Sequence, residues 1–420
     1  MVRPRYIVRQ QNKPVKKPAA KPFQLATRTT GRAINRQIAL TLVRTHQPIS
    51  RADLARRMGT RRGAVTLLVN ELIEEGMVYE GATGEASRGR KPTFLYMDSR
   101  GRCAVAVDIR ATRSYLMITD LVGRQLMEIS SFATELDPAR FVKDLAGRVK
   151  RLLSEHKDLG RCAGIGVVVP GMIDRDGENV VHAPALGWRD TPLKRPLAAA
   201  TGLPVQIENS GKACALSLMW SARGDANPPA DLVFVSVSDG VGVGVTVRGE
   251  LLRGRHNVAG EFGHVPLSID GPPCACGARG CWEAYISNLA TLGRYFGRPL
   301  VPGRPIPTEV ATMTVDDLIL RARGGDGKAL AAIQSTARYL GLGLASIVNA
   351  FDPDRIYVSG EITTAWDLLE PTVRAALGER ALLASHGDTE IAIVRADDYP
   401  RLRGAAALIG APAFAASVVA

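Results

Sequence analysis

Residues 260–283 read GEFGHVPLSIDGPPCACGARGCWE and bring one histidine and three cysteines close together in the chain. The four candidate metal ligands are His264, Cys274, Cys276 and Cys281. Three thiolates and one imidazole are a common ligand set for a tetrahedral structural zinc ion, and the glycines and prolines among them allow tight turns. Four protein ligands would fill the coordination shell. We therefore predict a structural zinc site and no catalytic one; the alternative is that these residues are unrelated.

This motif resembles the zinc motif of the ROK family, a bacterial group of sugar kinases and sugar-responsive repressors. The resemblance runs from about residue 102 to the C-terminus and implies an α/β body with a two-lobed, actin-like (ribonuclease H-like) fold. It also implies sugar contacts at Asn209, Glu261, His264 and Glu283. Ala185 stands where the family often has an asparagine, which removes one polar contact. A sugar effector, another small ligand and no effector therefore stay open, and the four residues could simply support the zinc loop.

The composition is that of a protein with two or three domains and a large core. The 420 residues contain no apolar run long enough to cross a membrane, and no apolar segment follows the basic N-terminus. We therefore expect a cytoplasmic protein without a membrane partner. Six cysteines, three of them clustered, fit a metal site better than a disulfide framework.

Positive charge is concentrated at the N-terminus. Residues 1–98 hold 19 Lys and Arg against 7 Asp and Glu, whereas the remaining residues hold 35 against 34. Such a distribution predicts a polyanionic partner for the first segment only. Residues 1–30 are too polar to fold alone and are predicted to be a disordered basic arm; a merely solvated tail is the alternative.

Residues 31–99 have the pattern of a winged helix-turn-helix domain. Ser50 is a predicted N-cap for a helix at 51–57, and Thr60 is a predicted cap for a helix that ends at Gly76. Predicted strands at 77–79 and 93–97 flank a wing. The segment resembles the DNA-binding domain of ROK repressors; a winged helix that contacts protein is the alternative. The predicted DNA-binding residues are Arg61, Arg62, Thr66 and Asn70 on the helix and Gly89, Arg90 and Lys91 in the wing.

The resemblance also allows a test for kinase chemistry, because ROK kinases carry D-x-G-G-T, E-N-D, G-T-G-x-G and G-G motifs. Here Arg110 replaces the first glycine of the first motif, and Ser210 replaces the general base of the second. Asp239 brings negative charge to the third motif, and Glu361 replaces the last glycine. Serine cannot accept the proton of a sugar hydroxyl near neutral pH, so we predict no catalytic residue and no enzyme.

The sequence thus predicts a DNA-binding transcriptional regulator, most simply a repressor of carbohydrate-utilisation genes. The body would span 100–420, with lobe one at about 100–209 plus the C-terminal helix and lobe two at about 210–397. Its predicted strands include 125–132 in lobe one and 232–237 and 241–247 in lobe two. The expected partners are double-stranded operator DNA, a sugar or sugar derivative, and further copies of the chain in a homodimer or homotetramer. The alternatives are an ATP-dependent sugar kinase and a DNA-binding protein without an effector.

Overall fold

The computed structural model describes residues 28–83, 93–221, 229–300, 307–382 and 389–413. Most of the predicted basic arm and the wing residues Gly89, Arg90 and Lys91 lie outside these ranges. Within them, none of the helices combines the length and the apolar character needed to cross a bilayer.

The N-terminal unit is a small helical domain with a three-stranded antiparallel sheet in the order β1-β3-β2. Its elements are α1 (Arg28–His46), β1 (Ile49–Ser50), α2 (Arg51–Arg57), α3 (Arg62–Glu74), β2 (Val78–Thr83) and β3 (Thr93–Met97). The first helix begins at Arg28, before the predicted end of the arm at residue 30. Buried aliphatic side chains from all three helices form its core. Those of α3 form a buried apolar stripe along one face of the helix, made of Val65, Leu68, Val69 and Leu72.

Local sequence explains how α2 begins, but it misplaces the start of α3. Ser50 caps α2 as predicted, because its hydroxyl accepts a 3.1 Å hydrogen bond from the Asp53 amide. The predicted cap at Thr60 is wrong: Arg61 is the N-cap and its side chain makes no capping bond. The Thr60 amide instead donates to the Ala55 carbonyl at 3.1 Å, so this residue closes the turn that follows α2.

Lobe one is a five-stranded sheet in the order β11-β7-β4-β5-β6, with a small β10-β9-β8 sheet beside it. The predicted strand at 125–132 is shorter, because Gln125 makes only an isolated bridge to Thr119 and regular pairing begins at Ser130. The elements are β4 (Arg102–Asp108), β5 (Arg113–Asp120), β6 (Ser130–Ala133), α4 (Pro138–Glu155), β7 (Arg161–Val169), β8 (Met172–Ile173), β9 (Asn179–Ala183), β10 (Trp188–Pro192), α5 (Lys194–Thr201), β11 (Val205–Asn209) and α6 (Ser210–Ser221).

Lobe two is a second five-stranded sheet, in the order β14-β13-β12-β15-β16, covered by helices. The predicted strands at 232–237 and 241–247 are confirmed. The elements are β12 (Leu232–Val237), β13 (Val241–Val247), β14 (Glu250–Leu251), α7 (Glu283–Ile286), α8 (Asn288–Phe296), α9 (Thr308–Ala311), α10 (Val315–Arg323), α11 (Gly327–Phe351), β15 (Arg355–Ser359), α12 (Trp366–Gly378), β16 (Glu390–Val394) and α13 (Pro400–Ala413).

The last helix, α13, returns to lobe one and packs on β4, β7 and α6. Two glycines allow this close approach. A Cβ on Gly404 would lie 2.2 Å from the Ala213 carbonyl oxygen, and one on Gly166 would lie 1.8 Å from the Ala405 carbonyl oxygen. The helix α13 therefore packs on both α6 and the sheet of lobe one, whereas α6 itself packs on the lobe-two strands β12 and β13.

The 260–283 segment is fixed to lobe two by Trp282, which is 1% exposed. Its indole nitrogen donates a 2.9 Å hydrogen bond to the Tyr339 carbonyl on α11. A Cβ on Gly343 of the same helix would lie 1.9 Å from the indole ring, so only glycine leaves room for it. A long helix thus supports the cysteine-rich loop from behind.

Candidate functional site

The structure brings the four predicted metal ligands together. One ligand atom from each of His264, Cys274, Cys276 and Cys281 lies within 4.8 Å of the others. His264 Nδ1 is 3.6 Å from Cys274 Sγ, and the sulfur atoms of Cys276 and Cys281 are 3.7 Å apart. His264 ends a short 3₁₀ turn, whereas the cysteines lie on the loop that leads into α7.

Tight turns hold this loop around the cluster. The Cys274 amide donates to the Ala278 carbonyl at 2.9 Å, and the Gly277 amide donates back to the Cys274 carbonyl at 3.1 Å. Gly280 has a φ of 70°, and a Cβ there would lie 1.6 Å from the Ser268 carbonyl oxygen. Glycine is therefore required at that position to turn the chain toward Cys281.

The donor set and its spacing fit a metal ion. Tetrahedral coordination with metal–sulfur bonds of about 2.3 Å places neighbouring ligand atoms about 3.8 Å apart, close to the two distances above. Burial raises the pKa of both Cys274 and Cys281. A cation would favour their thiolate forms and release protons when it binds. The cluster can therefore hold a metal ion with four protein ligands.

Glu283 connects this cluster to the opposite hairpin of lobe two. Its Oε2 accepts a 2.9 Å hydrogen bond from the Val241 amide, and its Oε1 lies 3.5 Å from the Cys274 sulfur. Glu261 lies in the same cleft, where burial raises its pKa while the charges of His264 and Lys212 oppose that shift. The three predicted sugar contacts of lobe two, Glu261, His264 and Glu283, are therefore close enough to act on one another.

Asn209, the fourth predicted contact, is at the junction of β11 and α6. Its Oδ1 accepts hydrogen bonds from the amides of Gly211 at 2.8 Å and Lys212 at 3.3 Å, so it caps the start of α6. Its Nδ2 donates to the Gly171 carbonyl at 2.8 Å. One amide hydrogen remains for a ligand, which means that Asn209 has a structural role beside any binding role.

Sequence reasoning missed Lys212, which is 1% exposed at the floor of the cleft. Its ammonium group donates to the Asn257 carbonyl at 2.5 Å and to the Asn257 side-chain oxygen at 3.1 Å. Burial lowers the pKa of Lys212, whereas the carboxylates of Glu208 and Glu261 raise it. The only signal in the sequence was a single lysine in an otherwise apolar helix.

Charged side chains lie at the positions that correspond to the phosphate motifs of ROK kinases. Asp108 is fully buried, and its carboxylate pairs with Arg110 Nε at 2.8 Å and Arg401 Nε at 3.1 Å. Arg110 also lies over the Tyr115 ring, 4.7 Å from its centroid. Glu361 accepts a 3.2 Å hydrogen bond from the side-chain amide nitrogen (Nδ2) of Asn288. The carboxylate of Asp108 is thus paired with two arginines of the protein, and sequence reasoning did not foresee Arg401.

The predicted DNA-binding residues of α3 lie together on its exposed side. Arg61, Arg62, Thr66 and Asn70 are all exposed, whereas the opposite face of the helix is buried. Leu67, which sequence reasoning missed, is 68% exposed among them. An apolar side chain at such a position can contact the methyl group of thymine. The sequence feature that could have indicated Leu67 is its position outside the buried apolar stripe of α3.

The N-terminal domain is attached to lobe one by Arg44 of α1. Its guanidinium donates to the Trp220 carbonyl at 2.7 Å and to the Met219 carbonyl at 3.4 Å, near the C-terminal end of α6. It also lies over the Trp220 ring, 4.4 Å from its centroid. Cations are favourable at helix C-termini, where carbonyls lack helical partners. The same helix α6 therefore contacts Asn209 at one end and the N-terminal domain near the other.

Comparisons with known proteins agree with this arrangement. A model of the ROK family matches residues 104–412. The xylose repressor of Bacillus subtilis (strain 168) is 30% identical over 362 residues, which are 85% of this chain and 90% of that repressor. A solved ROK family transcriptional regulator, described as a homologue of the E. coli Mlc protein, is 26% identical with a TM-score of 0.75 and covers 92% of this chain and 97% of its own. A ROK family glucokinase from Streptomyces griseus, solved with glucose and AMPPNP, is 26% identical with a TM-score of 0.62 and covers 73% of this chain and 99% of its own.

The metal cluster can be tested by removing one ligand. We expect Cys276→Ser to lose bound metal and to unfold at a lower temperature, because metal binding and folding are linked. The measurements are elemental analysis of the purified chain and thermal unfolding with and without a chelator. Cys162→Ser, outside the cluster, is the matched control and should keep its metal. A Cys276→Ser variant that keeps one metal ion per chain and its full stability would contradict this ligand set.

Proposed function

Since the chain belongs to the ROK family, we propose that it is a DNA-binding transcriptional repressor of sugar-utilisation genes. The observation that carries this proposal is the exposed polar face of α3 on a basic N-terminal domain that is joined to a sugar-kinase-like body. The B. subtilis relative named a xylose repressor and the Mlc-type regulator both match more of this chain than the glucokinase does.

In this proposal α3 enters the major groove of operator DNA. Helices in this position present their first residues to base edges, and here these are Arg61 and Arg62, followed by Thr66 and Asn70. The wing residues Gly89, Arg90 and Lys91 would contact phosphates or the minor groove. A symmetric homodimer or homotetramer would place two such domains on paired half-sites.

The body would recognise a ligand without transferring phosphate. Ser210 is the first residue of α6 and lacks the carboxylate that a general base requires. Arg110 and Arg401 pair with Asp108, and Asp239 occupies the β12–β13 turn, where phosphoryl transfer requires groups that bind phosphate. Because a solved glucokinase is similar to this chain, a sugar kinase is the second candidate function. An activity assay distinguishes a kinase from a repressor without kinase activity.

The effector would be a sugar or a sugar derivative. Carboxylates, an imidazole and an amide meet at one cleft, and such groups bind hydroxyls through paired hydrogen bonds. Glu261 and Glu283 would accept hydrogen bonds from hydroxyls, while His264 and Asn209 would complete the contact. Relatives include a xylose repressor and an N-acetylglucosamine repressor, so xylose and N-acetylglucosamine are the first candidates.

The metal would be a structural Zn²⁺ that braces this side of the cleft. The ligand set of three cysteines and one histidine suits zinc, and four protein ligands leave no position for an activating water. Since Cys281 lies only two residues before Glu283, the brace would fix the backbone that carries a carboxylate the sugar needs.

The DNA-binding role predicts different consequences for two arginines. Arg62→Ala should change the preferred sequence, because a bidentate base contact is worth about 1–3 kcal/mol of discrimination. Arg90→Ala should weaken binding to all sequences and lower the dependence of log Kd on log salt, since a phosphate contact releases counterions. Selection of bound genomic fragments, followed by salt titrations, measures both. Arg338→Ala, on the far helix α11, is the control; unchanged DNA binding in both test variants would contradict the proposal.

The loss of phosphoryl transfer predicts that ATP and a panel of aldoses yield no sugar-dependent ADP. Coupled ADP detection should give the same rate with and without sugar, whereas a ROK glucokinase assayed in parallel should respond to glucose. The physical reason is the absence of a general base at position 210 together with the side chains that replace the phosphate loops. Sugar-dependent ADP from the purified chain would make it a kinase.

A further inference from the structure

A second cavity lies behind the cysteine-rich loop, on the opposite side of α7 from Glu283. It is a partly open pocket with a volume of about 450 Å³, and it is lined by the Pro272–Pro273 turn, α7, α8, the segment after α8, and α11. Volumes of about 300–1,000 Å³ are typical of small-molecule sites. Neither the proposed sugar contacts nor the metal ligands line it, so it requires a separate explanation.

One side of this cavity carries Arg294, near the end of α8. Its guanidinium donates to the hydroxyl of Thr336, which also shares a 2.8 Å hydrogen bond with Thr291. Its Nε is buried and has no hydrogen-bond partner within the described residues. Burial lowers the pKa of Arg294 to about 10, and over the described part of the chain no carboxylate offsets that effect. Burying a cation without a counter-ion is unfavourable.

A second arginine stands close by, at the segment that follows α8. Arg298 also lines the cavity, and its buried Nε has no hydrogen-bond partner among the residues that the structure describes. Its terminal nitrogen pairs with Glu309 outside the cavity. No Asp or Glu is among the described residues that line the cavity. The cavity is therefore lined by two guanidinium groups whose Nε atoms have no partner among the described residues. Two such groups can bind a single anion.

The remaining walls are apolar and aromatic. The rings of Tyr285 and Tyr339 are in contact, with centroids 4.5 Å apart, and both line the cavity together with Leu300, Pro272 and Pro273. Arg294 also lies 5.8 Å from the centroid of the Tyr339 ring. Such walls would cover a flat or compact apolar body, while the arginine side would receive its charged end.

We propose that this cavity is a second small-molecule site, which takes an organic anion with an apolar body and one carboxylate or phosphate group. The anion would supply the counter-charge that Arg294 lacks, the Nε of Arg298 would add a second donor, and the tyrosine pair would cover the ring or chain of the anion. The site is distinct from the sugar cleft and does not depend on the identity of the sugar. Carboxylate and phosphate share the same recognition chemistry, so the test includes both.

Occupancy of this site would act on the sugar cleft through α7. Ala284 and Tyr285 line the cavity, whereas the preceding residue, Glu283, faces the cleft and the metal cluster. The Pro272–Pro273 turn directly precedes Cys274. A ligand that restricts the motion of Tyr285 and of this turn would therefore also restrict the motion of Glu283 and Cys274, which are their neighbours in the chain.

The test uses benzoate and phenyl phosphate as probes and benzyl alcohol as the neutral analogue, each titrated into the full-length chain by calorimetry. At least one anion should bind about 10-fold or more tightly than benzyl alcohol, because bonds to a charged group are the stronger ones. Arg294→Gln should lose about 10-fold in affinity for that anion, while Arg294→Lys should keep part of it.

Arg338→Gln is the matched control, since it removes a guanidinium from α11 that pairs with Glu379 outside the cavity. It should bind the anion as the unmodified chain does. Circular dichroism and thermal unfolding establish that each variant is folded. The proposal is overturned if neither anion binds at millimolar concentration, if benzyl alcohol binds equally well, or if folded Arg294→Gln retains full affinity.

Discussion

The arrangement depends on how helix α6 is held at its two ends. At the cleft, the Asn209 side chain accepts the first free amides of the helix. Near the other end, the Arg44 guanidinium binds the carbonyls of Met219 and Trp220. Both contacts satisfy backbone groups that a helix leaves unpaired. At about 1.5 Å per residue, the twelve residues of α6 form a rod of about 18 Å between cleft and DNA-binding domain.

This rod would be a physical route between the two proposed sites, since α13 packs closely along it. A ligand that moves Asn209 would shift the helix as a unit, and Arg44 would transmit the shift to α1. Such a mechanism works only if the ligand binds one position of the helix more tightly than the other. On the opposite side of the cleft, the Glu283 carboxylate lies beside the candidate metal ligands and accepts a hydrogen bond from the Val241 amide.

Features that depend on local sequence could be predicted. The Ser50 cap, the buried stripe of α3, both strands of the β12–β13 hairpin and the grouping of His264 with three cysteines follow from spacing and residue type, and the family model and the relatives confirm the ROK resemblance. The partners of single charges could not be predicted. Lys212 on Asn257, Arg401 on Asp108 and Arg44 on Trp220 join residues far apart in the chain, and only tertiary packing brings them together. Thr60 was wrong as a cap because α3 begins one residue later than expected, which puts Arg61 in the N-cap position.

The most direct test of this account is the effect of a bound sugar on operator affinity. A sugar that binds the full-length chain is first found among candidate pentoses and amino sugars, and the operator is taken from the selected genomic fragments. Operator Kd is then measured with and without saturating sugar, for the unmodified chain and for Arg44→Gln. The account predicts a change of at least about 5-fold in the unmodified chain and a clearly smaller one in Arg44→Gln. A sugar that binds while operator Kd stays the same in the unmodified chain would contradict it.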